Sequence, residues 1–169
     1  MYKIGDLIIY SNTGVCKLED IAKPNFDNIS KDELYYVLKP LYQDGTIYIP
    51  VNNTKIFMRP IISEKEAEQL IDMIPSIQAE AYHNHSIQQL SEHYQLMMKS
   101  HNCEDLIELL MSIYNKKQYL SGQKRKFGQV DQTFMRRAEE LLYGEFSVAL
   151  NIPKEEVQEY IASKVENKK

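Results

Sequence analysis

Lys55-Ile56-Phe57-Met58-Arg59-Pro60-Ile61-Ile62 runs without a linker into Ser63-Glu64-Lys65-Glu66, and the change of pattern between Ile62 and Ser63 decides the fold. The first stretch is short and apolar and reads as a strand. The second is a capping box, with Ser at the N-cap and Glu three residues later answering amides that a helix start leaves open. Leu70, Ile71 and Ile74 follow at helical spacing as far as Pro75, which predicts where that helix stops.

Upstream of the boundary the chain reads as β throughout. Leu7-Ile8-Ile9-Tyr10 precedes a turn cluster, Ser11-Asn12-Thr13-Gly14, and Val15–Ile21 resumes with apolar residues mostly at alternate positions. Residues 23–32 read as a loop on Pro24, Asn25, Asp27, Asn28 and Ser30. Tyr35–Leu41 and Thr46–Val51 are strands separated by Gln43-Asp44-Gly45, in which Asp-Gly signals a tight turn. With residues 55–62 this makes five short strands, the makings of a small barrel or a strongly curved sheet. Any edge it leaves open can pair with a strand from a partner.

Downstream, every segment is helical. Ile87, Leu90, Tyr94, Met97 and Met98 form one stripe, and Leu106, Leu109, Leu110, Ile113 and Tyr114 form the next, capped by Asn102 and Asp105. A turn-like basic stretch, Ser121 to Gly128, leads to a helix from about Asp131 to Leu150, with Phe134, Met135, Ala138, Leu141, Leu142 and Phe146 facing a core. Pro153 opens a fifth helix on Val157, Tyr160 and Ile161, and the tail from Glu166 is expected to fray. The fold class is therefore α+β, with a β domain over residues 1–62 and an all-α domain of about five helices over residues 63–169.

Of the 169 residues, 43% are hydrophobic, enough for a real core. No apolar run approaches the roughly 20 residues that span a bilayer, and Met1–Asp6 lacks a secretory leader's apolar segment. A cytoplasmic protein is expected, with Cys16 and Cys103 as free, partly buried thiols. The net charge of −4 argues against indiscriminate coating of DNA. Its distribution is more informative. Residues 63–114 carry nine acidic and two basic side chains, whereas residues 115–137 carry seven basic side chains and Asp131 alone as an acid. Lys116, Lys117, Lys124, Arg125 and Lys126 surround the turn, and Arg136 and Arg137 follow on the next helix. Cations so grouped reach phosphates on both sides of a groove, and equally they serve as a solvated face balancing nearby acids.

The order and spacing of several stretches resemble the CarD/CdnL family of bacterial RNA-polymerase-binding regulators. Lys3-Ile4-Gly5-Asp6 with Ile8-Ile9-Tyr10 and Gly14-Val15 is similar to the family's opening strands. Tyr35–Lys39, Ile47-Tyr48-Ile49-Pro50-Val51-Asn52-Asn53 and Met58-Arg59-Pro60 resemble the rest of its first module, and Ala138–Phe146 resembles a late helix of its second. The likeness covers roughly residues 1–150. It implies a Tudor-like, SH3-like barrel that binds the polymerase β subunit, a module also found in the transcription-repair coupling factor. Ile47, Tyr48, Ile49 and Pro50 would lie at that interface. It further implies a helical domain that contacts promoter DNA at the upstream edge of the −10 element and stabilises the open complex. Lys99 joins the seven cations as a DNA-contacting candidate. The chain departs from the family in three respects. It has no Trp, the usual minor-groove wedge, and the matching position is Ile87, near Tyr82, His83 and His85. Tyr48 stands where some relatives carry Arg, and it supplies contact area and one hydrogen bond instead of a bidentate ion pair. The basic loop is also longer than the family's.

Other chemistries find less support. His83, His85, His93 and His101 do not complete a zinc pattern. The glycines are scattered, no nucleophile elbow is present, and Glu139-Glu140 reads as an exposed helical pair. No enzyme activity, metal or cofactor is expected. A protein adaptor that leaves DNA alone is the rival reading, and a histidine-based hydrolase is a distant third. The expected state is a monomer, with a domain-swapped dimer as the alternative.

Overall fold

The computed structural model describes residues 1–26 and 32–167. Asp27, Asn28 and Ser30 of the expected loop, and Lys168 and Lys169 of the tail, lie outside the described residues. The chain divides into two compact units, Met1–Ile62 and Ser63–Lys169.

The first unit is a five-stranded antiparallel sheet: β1 (Leu7–Tyr10), β2 (Gly14–Ala22), β3 (Tyr35–Pro40), β4 (Ile47–Pro50) and β5 (Met58–Pro60), in the order β4-β3-β2-β1-β5. A flat sheet holds its first and fifth strands about 19 Å apart, four spacings of about 4.8 Å. Yet Ile49 of β4 shares a buried cluster with Ile8, Cys16, Leu18, Tyr36 and Leu38, and Met58 of β5 packs against the same cluster. The sheet therefore curls, leaving β4 and β5 as its edges. A bulge helps: the β2–β3 register passes from Leu18↔Leu38 to Asp20↔Val37, so Glu19 is an extra residue that bends and twists β2.

Two sequence expectations shift here. The last strand contracts from residues 55–62 to Met58–Pro60, its Pro60 tolerated because β5 is an edge. Asp44-Gly45 does not form a two-residue hairpin. Leu38 pairs with Ile47, and residues 41–46 form a wider connection in which Gly45 takes φ +111°, open to glycine and strained for other residues. Cys16 is fully buried, and burial pushes its thiol up to about 11, so little reactive thiolate exists at neutral pH. Cys103 is also buried, its thiol donating to Glu145 Oε1 at 3.1 Å.

The second unit contains α1 (Glu64–Met73), α2 (Ile87–Met98), α3 (Cys103–Gly122), α4 (Gln129–Leu150) and α5 (Lys154–Glu166). Ser63, Ser86 and Asn102 cap α1, α2 and α3 by accepting the amides of Glu66, Gln89 and Asp105. The helix predicted from Asp131 begins two residues earlier, at Gln129, and α3 runs into the stretch predicted as turn, as far as Gly122. Leu90, Tyr94, Leu109, Ile113, Phe134, Ala138, Leu142 and Phe146 form much of the buried core, and Ala67, Ile71 and Val157 are buried on α1 and α5. The Tyr160 hydroxyl donates to Glu68, tying α5 to α1, and the bond pushes the phenol up to about 12. Among the described residues no helix is long and apolar enough to cross a membrane.

Candidate functional site

On the β unit, β4 is an outer strand, so one side of its main chain faces away from β3. Tyr48 lies opposite Val37 in the register and is 42% exposed. Phe26, four residues beyond the end of β2, meets the Tyr48 ring edge-on at 4.8 Å between centroids. Ile47 and Pro50 are half-buried. Ile49 turns into the core at 3% exposure, so it offers an incoming partner only its backbone. The edge thus pairs strand-like main chain with an exposed aromatic pair, a combination suited to strand addition by a protein partner. Phe26 was not singled out from sequence, because no local pattern shows that it reaches Tyr48 across a connection.

In the helical unit, α2 and α3 form a hairpin, and the segment before α2 lies along α3. Ser112 donates to the Glu80 carbonyl and Asn115 to the Ala79 carbonyl, both at 2.6 Å. His83 meets Tyr119 edge-on at 5.3 Å. Tyr82 stacks on His93 at 3.7 Å, and burial holds His93 below the ordinary histidine value. Asn84 donates to Tyr82 and Gln89 and accepts from the Ser86 amide. The start of α2 is thereby pinned, and its first residue, Ile87, stands 71% exposed. Because His83 touches Tyr119 near the end of α3, Ile87 lies at the end of the hairpin that also carries the basic turn.

That turn is built on a Schellman motif. The Arg125 amide donates to the Leu120 carbonyl at 2.8 Å and the Lys124 amide to Ser121 at 3.0 Å. Lys124 holds φ +55° at the position glycine normally takes. Lys124, Arg125 and Lys126 are all exposed. Lys117, also exposed, lies 5.5 Å over the Phe127 ring. Arg136 and Arg137 are exposed on α4, with the Arg137 guanidinium 5.5 Å over Phe134. Substituting Lys124→Gly relieves the left-handed strain and is expected to stabilise the unit by about 0.5 kcal/mol, since glycine's extra unfolded-state entropy offsets part of the gain. Thermal denaturation checks this, and a lowered midpoint contradicts it.

Two candidate cations belong elsewhere. Lys99 is exposed but lies at the far end of α2 from Ile87, about 18 Å along the helix axis. Lys116, expected among the phosphate-facing cations, is buried at 5% exposure with its Nζ 2.9 Å from Asp131 Oδ1. Its charge is answered inside the fold, and it is removed from the candidate surface. The signal was in the sequence: Lys116 continues the core stripe of Leu109, Ile113 and Leu120. Glu139 is likewise engaged, accepting from the Tyr114 hydroxyl at 2.7 Å. Among the described residues no three His, Cys, Asp or Glu side chains converge as a metal set.

Residues 2–62 match the family model described as the CarD-like/TRCF RID domain. The match covers the N-terminal unit and supports an RNA-polymerase-interacting, transcription-related role. No curated protein matches the chain.

Proposed function

We propose that this chain regulates transcription initiation by holding the polymerase β subunit with its β4 edge and leaning its helical unit on promoter DNA. Contact falls near the upstream edge of the −10 element, and Ile87 enters the minor groove there. The observation that carries this reading is the exposed Ile87, fixed on a pinned helix start at the same end of the hairpin as Lys124, Arg125 and Lys126. Phosphate contacts from the basic turn, with Lys117, Arg136 and Arg137 behind it, set the register. An aliphatic wedge unstacks a base step by shape and dehydration, and it needs no indole to do so. No bond is made or broken. The protein binds the open state better than the closed one and shifts the equilibrium by that difference.

The acidic remainder of the helical unit repels DNA, so the polymerase contact acts as a tether that raises the effective concentration at the promoter. Association with the nucleoid then follows from polymerase, without independent affinity for bulk DNA.

Footprinting a polymerase–promoter complex with and without the protein tests the reading. Added protection at the upstream edge of the −10 element is the expected result. An unchanged footprint with the protein still bound to polymerase would instead identify an adaptor. On the polymerase side, Tyr48→Ala removes an exposed aromatic anchor and leaves Phe26 without its partner. It is expected to weaken binding to polymerase about thirtyfold, the scale of an aromatic hot spot. Titration of labelled protein against polymerase measures this, and an unchanged Kd would move the interface off β4.

A further inference from the structure

Resting on that reading, we infer that Tyr94, Lys116 and Asp131 form a positioning junction that holds the Ile87 wedge in register with the basic turn. The three residues come from three helices and meet at one carboxylate oxygen. The Tyr94 hydroxyl donates to Asp131 Oδ1 at 2.5 Å, and Lys116 Nζ donates to the same atom at 2.9 Å. Tyr94 is 0%, Lys116 5% and Asp131 3% exposed. Burial, followed by the bond to Asp131, holds the Tyr94 phenol far above its ordinary range, so it remains a donor at any physiological pH.

Each member sits beside a working part of the proposed DNA surface. Tyr94 lies on α2 about 10 Å along the axis from Ile87. Lys116 is on α3 ahead of the basic turn, and Asp131 is in the first turn of α4, just beyond it. Gly128 leaves room for the carboxylate, since a Cβ there would stand 3.2 Å from Asp131 Oδ2. Stability alone does not call for this arrangement, because a buried ion pair adds little over well-packed apolar side chains of similar volume. Directed bonds onto a single atom do what apolar packing does less well: they fix how far α2 is rotated and slid against the α3–α4 turn. Tyr94, Lys116 and Asp131 touch no DNA in this scheme and act through Ile87 and Lys124–Lys126.

The test uses the full chain with polymerase and a promoter carrying 2-aminopurine at the upstream edge of the −10 element. Two variants are compared with wild type: Tyr94→Phe, and the apolar triple Tyr94→Phe, Lys116→Met, Asp131→Leu. The triple is expected to keep its thermal midpoint, its affinity for polymerase and its salt dependence on DNA. The fluorescence gain from base unstacking should fall about fivefold or more, the scale of one directed hydrogen bond. A role in stability alone would leave that gain unmoved. If the folded triple unstacks DNA as wild type does, the junction is only structural and the inference fails. If the triple does not fold, Tyr94→Phe decides: a reduced gain supports the inference and an unchanged gain overturns it. If wild type itself gives no fluorescence gain, the wedge reading fails and the junction's role falls with it.

Discussion

Promoter binding by the triple variant Lys124→Gly, Arg125→Gln, Lys126→Gln is expected to fall about a hundredfold at 0.15 M salt. Each phosphate contact on B-DNA contributes about 0.9 to the slope of log affinity against log salt, so three contacts contribute about 2.7, or roughly two decades between 0.15 M and 1 M. The slope should become shallower by that amount, and polymerase affinity should not change. The fold survives because the three side chains are exposed and the glycine relieves the positive φ at Lys124. Titrating polymerase–promoter complexes at several salt concentrations measures both quantities. A lowered affinity with an unaltered slope would mean that these residues act on shape and not on phosphate.

Lys116→Met should behave in the opposite way. The substitution removes the cation facing Asp131 and leaves a buried carboxylate held by the Tyr94 hydroxyl. Breaking a buried pair from one side costs about 3–5 kcal/mol, which for a unit of this size lowers the thermal midpoint by about 15 °C. At temperatures where the variant is folded, the salt slope on DNA should equal that of wild type. A stable variant with a shallower slope would return Lys116 to the DNA surface and contradict its place in the core.

The contrast between Lys116 and Lys124 shows what was legible in the sequence. Local grammar carried the fold: the Ser63 cap, the strand runs before it and the apolar stripes after it all reappear as elements, with ends displaced by a few residues. Those displacements have local causes. α3 continues to Gly122 because its Schellman closure uses Lys124, not a glycine, for the left-handed turn. The basic turn was legible as a charge anomaly, but a count of cations does not separate solvated ones from buried ones. Helical phase does so for Lys116, which continues the core stripe, and for Asp131, which shares the α4 core face with Phe134, Ala138 and Glu145. Ile87 was ambiguous because the first residue of a helix faces core or solvent depending on how the preceding segment docks. The bonds of Ser112 and Asn115 to residues 80 and 79 are tertiary facts that no spacing encodes. The meeting of Phe26 with Tyr48 is of the same kind.

The claim at the centre is that Ile87 enters DNA while the β unit holds polymerase. The most direct measurement places a photo-crosslinking amino acid at position 87 of the full chain and irradiates a reconstituted polymerase–promoter open complex. Crosslinks to nucleotides at the upstream edge of the −10 element, lost when Lys124, Arg125 and Lys126 are neutralised, are the predicted result. Crosslinks from position 87 to protein alone, in a complex that still contains the chain, would contradict it.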